Sequence, residues 1–212
     1  MTPQPDDSVD VPADLDRLCR SVFSDRFENA KLYAGLLANE GIKQGLLGPR
    51  EADRIWQRHI INSLSVLPLV PPTCVVADIG SGAGLPGIPL ALARPDCRIE
   101  LVESMSRRVV FLRLCVDLLG LCDQVTVVHD RVEDYHGTPA IVVCRAVAPV
   151  KDLVKLVSHL VPPAQLLAIK GQRAPKEVEA AKKTLHTHGL QATVIRPEIF
   201  GEVVGSVVRI GA

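Results

Sequence analysis

Four glycines crowded into eight residues are the strongest chemical signal in this 212-residue sequence. They stand at positions 80, 82, 84 and 87, and an aspartate precedes the first of them by two residues. Glycine adopts positive φ readily and lets a ligand approach the backbone without a Cβ in the way. If the ligand has an amino-acid end, a carboxylate at position 78 can hold it, directly or through water. The segment therefore predicts a binding loop in which Asp78, Gly80, Gly82 and Gly84 contact a ligand.

Two adenosine-containing cofactors are candidates for this loop. Gly82, Gly84 and Gly87 match the G-x-G-x-x-G fingerprint of dinucleotide-binding proteins. Dehydrogenase loops usually carry an apolar residue where Asp78 stands, and Pro86 suits poorly a helix N-terminus that holds a pyrophosphate. An Asp followed by glycines at this spacing is typical of S-adenosylmethionine-dependent methyltransferases. We therefore expect S-adenosyl-L-methionine as the cofactor, with an NAD-dependent dehydrogenase as the alternative.

Acidic residues after the next two predicted strands complete a nucleoside site. Glu103 ends the second predicted strand, where an acid can accept hydrogen bonds from both ribose hydroxyls of either cofactor. Val132 and Glu133 follow the third strand, where a backbone group and a side chain commonly meet an adenine edge. Taken alone, the acids after the third strand read more simply as a solvated loop.

Basic side chains are predicted at the same edge of the sheet. Arg145 and Lys170 each follow a predicted strand and are candidates for contacts to RNA phosphate or to a guanine base, with a surface salt bridge as the alternative. On a predicted helix, Arg54 and Arg58 continue a four-residue spacing begun by Arg50, which would align them on one face. We interpret this row, with His59 beside it, as RNA-facing; a solvated helix face is the alternative, and His59 alone is more typical of a packed structural histidine.

The overall charge does not suggest a protein that grips nucleic acid through a bulk positive field. The chain has 24 basic and 24 acidic residues, but residues 1–16 hold five Asp and no base. The rest of the chain is modestly basic. The six cysteines show no metal-ligand spacing, so we expect no metal and buried, reduced thiols. The acidic, Pro-rich N-terminus is unlike a signal peptide and no apolar run is long enough to span a bilayer, so we expect a soluble cytoplasmic protein without membrane contacts.

Alternating apolar β runs and helices must position these groups. We predict a disordered tail over residues 1–12, a helical N-terminal extension over 13–72 and a catalytic domain over 73–212. The extension should hold one helix from Ala13 to about Asn39 and a second from Pro49 to about Leu67. The predicted strands are Val75–Ile79, Arg98–Val102, Val125–Val128, Ile141–Cys144, Leu166–Ile169, Ala192–Ile195 and Val203–Ile210. This pattern predicts an α/β fold with a mostly parallel, Rossmann-like seven-stranded sheet whose last two strands pair antiparallel.

Across nearly its whole length the sequence resembles the bacterial 16S ribosomal RNA guanine-N7 methyltransferase family, RsmG or GidB. The matching motifs are Arg58-His59-Ile60-x-Asn62-Ser63, Asp78-x-Gly80-x-Gly82-x-Gly84-Leu85-Pro86-Gly87-Ile88-Pro89-Leu90, Glu103-Ser104-x-x-Arg107-Arg108, Phe111-Leu112, Arg131-Val132-Glu133, Arg145-Ala146 and Lys170-Gly171-Gln172. Two positions depart from the family pattern. Asn62 stands where an Asp is common, and Ala140 stands near the place where an Asp often precedes the fourth strand.

The resemblance implies a class I methyltransferase fold and methyl transfer to N7 of one guanine in 16S rRNA. It implies that Gly80, Leu85, Val132, Glu133 and Arg145 contact the methyl donor and that Glu103 fills the ribose position. The implied partner is 16S rRNA or the small ribosomal subunit. Guanine N7 carries no proton, so no general base is expected; Arg145 and Lys170 are candidates for positioning the substrate. A methyltransferase acting on a small molecule or a protein, and a ribosome-binding module with a vestigial donor site, stay open.

Overall fold

The computed structural model describes residues 9–212, and residues 1–8 of the predicted disordered tail lie outside that range. The described residues contain nine strands, in chain order β1 (Val75–Ile79), β2 (Arg98–Val102), β3 (Val125–Val128), β4 (Ile141–Arg145), β5 (Gln165–Lys170), β6 (Gln191–Ile195), β7 (Glu198–Ile199), β8 (Glu202–Val203) and β9 (Ser206–Gly211). Seven of them form one sheet in the order β3-β2-β1-β4-β5-β9-β6, while β7 and β8 pair as a separate hairpin.

The sheet confirms the predicted fold class. β1 pairs in parallel with β2 and β4, and the parallel pairing continues to β3 on one side and β5 on the other. β9 runs antiparallel to both β5 and β6. The strand order reverses beside β1, and in open α/β sheets this is where ligands bind, beyond the carboxyl ends of the strands. The last predicted strand starts later than expected, because Val203 belongs to the hairpin.

Between residues 9 and 212 there are six α-helices: α1 (Asp16–Phe23), α2 (Phe27–Leu36), α3 (Gly87–Ala93), α4 (Ser106–Leu118), α5 (Val150–Leu156) and α6 (Ala174–Thr187). The prediction of one continuous helix from Ala13 to about Asn39 was wrong, because the helix is interrupted between α1 and α2. Ser24 has a φ of 47°, which no right-handed helix accommodates. A short 3₁₀ turn, Ser24–Arg26, then leads into α2.

The second predicted helix, Pro49 to Leu67, is irregular. It consists of a 3₁₀ segment (Pro49–Arg54), a π-helical segment (Ile55–Ile61) and a second 3₁₀ segment (Leu64–Leu69). A 3₁₀ helix has three residues per turn, so side chains four apart do not align. The predicted single face of arginines is therefore not formed, although all of them are exposed.

One hydrophobic core joins the N-terminal helices to one face of the sheet. It contains Phe23 and Leu37 from the N-terminal helical region together with Ile99 and Val143 from β2 and β4. The opposite face of the sheet packs against α5 and α6 through a second cluster. Because apolar burial drives folding, the N-terminal helices are structurally part of the sheet's cover. Residues on both sides of the predicted boundary at residue 72 belong to this cluster, and the boundary itself stays a prediction.

The described end of the predicted tail also packs. Val9 and Val11 are partly buried against the same core, and the indole Nε1 of Trp56 donates a hydrogen bond to the Val9 carbonyl at 3.2 Å. Residues 9–12 therefore differ from the free segment expected there. Throughout residues 9–212, no helix has both the length and the apolarity needed to cross a membrane.

Candidate active site

The glycine loop leaves β1 and turns back over the end of β2. Gly80, Gly82 and Gly84 have φ values of 64°, 59° and 94°, a left-handed region that costs other residues energy. The amides of Gly80 and Ser81 donate to the carbonyl of Val102, at 2.9 and 3.2 Å. The loop is therefore fixed by its own backbone, and glycine is required for its path.

The last two glycines of the apparent dinucleotide fingerprint have packing roles. A Cβ on Gly84 would lie 2.4 Å from Cδ1 of Ile88, and one on Gly87 would lie 2.7 Å from Oδ2 of Asp78. The amide of Gly87 donates to that same Oδ2 at 2.9 Å. These contacts account for Gly84 and Gly87 without a pyrophosphate.

Asp78 is the buried carboxylate of the site. It is fully buried, and its Oδ1 has no hydrogen-bond partner among residues 9–212. Burial raises the pKa of Asp78 to about 7, against the opposing effects of the Gly87 amide and the Arg145 charge. An unpaired buried carboxylate oxygen is costly. A ligand amino group at Oδ1 would satisfy it, so the residue fits the predicted role toward the amino-acid end of a ligand.

A buried tyrosine, absent from the sequence-based candidates, holds the loop from the opposite side. Tyr33 on α2 is fully buried, and its hydroxyl donates to the carbonyl of Ala83 at 2.8 Å. Desolvation raises the pKa of Tyr33 well above its usual value, so the hydroxyl stays a donor. Through this bond the N-terminal helices fix the glycine loop directly.

A pocket of about 320 Å³ opens beside the loop at the ends of β1, β2 and β3. We call it the loop pocket. Its walls include the following residues: Gly80, Glu103, Met105, Arg108, Asp130, Val132, Glu133, Ala146 and Val147. This volume lies within the range of small-molecule sites. The structure therefore brings Gly80, Glu103, Val132 and Glu133 together around one pocket. The other predicted donor contacts are not among its lining residues: Asp78, Gly82, Gly84, Leu85 and Arg145.

Glu103 is almost completely buried at the rim of the glycine loop. Its Oε2 accepts from the Gly82 amide at 3.0 Å and its Oε1 accepts from the Met105 amide at 2.9 Å. Arg108 lies 3.4 Å from Oε2. A carboxylate offers about four lone-pair positions, so acceptor capacity is left for ligand hydroxyls. The carboxylate thus both shapes the loop and lines the pocket.

A second, larger pocket of about 750 Å³ lies at the ends of β4 and β5. We call it the edge pocket. Its lining includes Arg58, Asn62, Arg145, Ala146, Val147, Lys170 and Glu177. Ala146 and Val147 line both pockets and so form the wall between them. A Cβ on Gly80 would lie 2.9 Å from Cγ2 of Val147, so the wall packs directly on the glycine loop.

Arg145 is held in a defined orientation at this wall. Its Nη1 donates to the carbonyl of Arg58 at 3.0 Å, and its Nη2 lies 2.9 Å from Nδ1 of His59. Burial lowers the pKa of Arg145 from its usual value, yet a guanidinium stays charged at neutral pH. Three of its five N–H groups are left for other partners.

Lys170 and Glu177 form an ion pair inside the edge pocket. Their Nζ and Oε2 atoms are 2.9 Å apart, with the lysine side chain only 9% exposed. Lys170 also donates to the carbonyl of Ala148. The predicted alternative of an ion pair is therefore present, but it lies in the pocket and not on open surface. Of the predicted RNA-facing residues, Arg58, Arg145 and Lys170 line this pocket; Arg54 lies on the exposed 3₁₀ segment away from it, and His59 is buried.

Comparison of the sequence with known proteins identifies a family profile and several close relatives. The profile described as GidB, rRNA small subunit methyltransferase G, matches residues 26–198. A ribosomal RNA small subunit methyltransferase G from Kineococcus radiotolerans is 45% identical over 92% of this chain and 76% of its own length. Its counterpart from Mycolicibacterium smegmatis is 49% identical over 82% of this chain and 77% of its own length.

Solved structures agree on the fold. Magnesium protoporphyrin IX methyltransferase from Synechocystis, with bound SAM, has a TM-score of 0.57 at 16% identity and covers 87% of this chain and 97% of its own. A SAM-dependent methyltransferase from Aquifex aeolicus also reaches 0.57, at 17% identity, covering 82% of this chain and 98% of its own. At such low identity these likenesses show the class I methyltransferase fold alone. The profile match and the close relatives go further: the chain belongs to the rRNA small subunit methyltransferase G family.

Proposed function

We propose that the protein transfers a methyl group from S-adenosyl-L-methionine to N7 of one guanine in 16S ribosomal RNA. The observation that carries this proposal is the pair of neighbouring pockets that share Ala146 and Val147 as lining residues. One pocket carries acidic groups suited to a nucleoside with an amino-acid end. The other carries basic groups suited to a nucleic acid. Reacting atoms brought to a shared wall from two sides need little further positioning.

On the donor side, the residues present suit S-adenosylmethionine. Asp78 lies outside the pocket lining, so its unpaired Oδ1 would meet the α-ammonium group through a water or after a small shift of the glycine loop, and Glu103 offers lone pairs to the ribose hydroxyls. Val132 and Glu133 line the far end of the loop pocket, where the adenine edge would lie. When bound, the cofactor supplies an electrophilic methyl group on a sulfonium centre. NAD is disfavoured because Gly84 and Gly87 are explained by packing and the loop presents a carboxylate.

On the acceptor side, the edge pocket suits an unpaired guanine with its phosphate. Guanine presents O6 and N7 as acceptors on one edge. A cation placed on N7 would occupy the lone pair that must attack, so Arg145 and Lys170 are assigned to O6 or to phosphate oxygens. Arg58 at the pocket mouth adds a further phosphate contact. N7 of neutral guanine carries no proton, which explains why no general base is assigned and why the chain's own task is to orient the base and exclude water.

The proposed partner is the small ribosomal subunit or its 16S rRNA, and the proposed location is the cytoplasm. Cys19, Cys97, Cys115 and Cys144 are buried free thiols, in keeping with a reducing compartment. The described residues hold no cluster of metal-binding side chains, and neither pocket relies on a metal for the roles assigned here.

The decisive experiment is mass mapping of N7-methylguanine in 16S rRNA from cells with and without the gene. We expect one modified guanine to lose its methyl group in the deletion and to regain it when purified small subunits are incubated with protein and S-adenosylmethionine. Survival of every N7-methylguanine in the deletion would refute the RNA assignment. Calorimetry with S-adenosylhomocysteine and with NAD tests the donor separately, and preference for NAD would refute the cofactor.

A further inference from the structure

A chain of polar contacts runs from the N-terminal region to the wall between the pockets. Glu51 accepts from Nη1 of Arg58 at 3.0 Å through Oε1, and its Oε2 lies 2.9 Å from Nε2 of His59. The other ring nitrogen of His59, Nδ1, lies 2.9 Å from Nη2 of Arg145. Arg145 then returns to the backbone carbonyl of Arg58. Both ring nitrogens of His59 are therefore occupied inside the protein.

The partners dictate the proton position on this ring. A guanidinium N–H can only donate, so Nδ1 must accept and carries no proton. The Glu51 carboxylate can only accept, so Nε2 carries the proton and donates. His59 is therefore neutral in the Nε2–H tautomer. Burial and the neighbouring Arg145 charge lower the pKa of His59, which keeps this form dominant at pH 7.

We propose that His59 is a positioning residue that, as the neutral Nε2–H tautomer braced by Glu51, orients the Arg145 guanidinium at the wall between the two pockets. The proposal rests on the proposed function for what Arg145 then touches, whereas the tautomer and the contact do not depend on it. Only a ring fixed in this tautomer presents a lone pair to Arg145. His59 itself touches neither substrate, because it is buried and does not line the edge pocket.

The groups facing His59 come from three elements. Glu51 faces it from the 3₁₀ segment Pro49–Arg54, Arg145 from the end of β4, and Arg58 from the adjacent position on the π-helical segment. Arg145 and Arg58 disfavour the imidazolium form, and Glu51 favours it. A proton on Nδ1 would meet the Arg145 guanidinium directly. Protonation therefore breaks the contact, and removing Arg145 should make protonation easier.

The first test uses the whole protein and no RNA. Nitrogen-15 NMR of the histidine rings should show His59 with a protonated Nε2 and an unprotonated Nδ1 at pH 7. Its titration midpoint should rise in Arg145→Ala. An Nδ1–H tautomer, an imidazolium at pH 7, or a midpoint unmoved by Arg145→Ala would overturn the inference regardless of the substrate.

The second test uses a matched pair of variants in methylation of small subunits. The amide oxygen of His59→Asn can occupy the Nδ1 position and accept from Arg145, whereas His59→Gln reaches the Nε2 position instead. We expect His59→Gln and His59→Ala to lose about tenfold or more in kcat/KM, the loss typical of a hydrogen bond to a charged group, and His59→Asn to recover most of it. Equal loss in His59→Asn and His59→Gln would overturn the inference even if His59→Ala does not fold.

A double-mutant cycle separates this role from a merely structural one. If His59 acts through Arg145, then His59→Gln should cause no further loss in an Arg145→Ala background. Losses that multiply would refute the coupling. Absence of any RNA methylation by the wild-type protein would refute the proposed function instead, and the NMR test would still decide the role of His59.

Discussion

Asp78 makes donor affinity depend on pH in a way that can be calculated from the structure. Burial raises its pKa to about 7 in the free protein, so the carboxylate is about one-tenth ionised at pH 6 and about nine-tenths ionised at pH 8. The α-ammonium of S-adenosylhomocysteine should favour the ionised form, whether it meets the buried Oδ1 through a water or after a small shift of the glycine loop. Affinity should therefore rise about tenfold from pH 6 to pH 8, or about 1.4 kcal/mol, and level off above that.

The assay is isothermal calorimetry with S-adenosylhomocysteine across this range, repeated in buffers of different ionisation enthalpy. Because binding pulls the pKa of Asp78 down, close to one proton should be released per ligand at pH 6 and almost none at pH 8. Asp78→Asn should bind more weakly and show a flat profile. Asp152→Asn, an exposed carboxylate at the start of α5, is the matched control and should retain the wild-type profile.

Two results would refute the reasoning about Asp78. One is an equal dissociation constant for the wild-type protein at pH 6 and pH 8. The other is an Asp78→Asn variant that keeps the wild-type slope, since the titrating group would then lie elsewhere.

Three further predictions follow from contacts around the loop and the edge pocket. Tyr33→Phe leaves the buried Ala83 carbonyl without its donor and should lower the free energy of unfolding by about 1–3 kcal/mol, measured by urea denaturation; no change would show that the carbonyl is satisfied otherwise. Gly82→Ala and Gly84→Ala both place a side chain at positive φ, but only the Gly84 variant puts a Cβ 2.4 Å from Ile88. Gly84→Ala should therefore have a free energy of unfolding lower than that of Gly82→Ala by about 1–3 kcal/mol. Equal stabilities would argue against this packing. The three basic side chains of the edge pocket predict a shallow salt dependence of RNA binding. The slope in log K against log salt should be no steeper than about −2, because Arg58 and Lys170 are already ion-paired within the protein; a slope several times steeper would indicate a larger basic surface.

The sheet and the glycine loop could be predicted from the sequence because both depend on local sequence patterns. Apolar runs alternating with helices predict a parallel sheet, and the ends of β1 and β2 follow from where those runs stop at Asp78–Ile79 and Glu103. The loop pocket then follows from topology, since parallel strands end at one edge.

The N-terminal region was predicted less well because its structure depends on long-range packing. Helical periodicity in the sequence marks neither the break at Ser24 nor the π-helical segment, because the spacing of apolar residues there is similar to that of a regular α-helix. Tyr33 contacts a loop 50 residues away in the sequence, and nothing in the sequence of its helix indicates that contact. The pairing of His59 with Glu51 and Arg145 likewise joins separate elements, so only the fold could reveal it.

The shared core of the N-terminal helices and the sheet bears on how such an enzyme can be rebuilt. Phe23, Leu37 and their neighbours share one core with α3, α4 and one face of the sheet, and Tyr33 holds the glycine loop. Residues 73–212 are therefore not an interchangeable cassette to which an RNA-recognition module has been appended. Grafting a foreign recognition domain in place of residues 9–72 would remove a large part of this shared core. Engineering of the proposed RNA site should therefore succeed through side chains around the edge pocket more readily than through domain exchange.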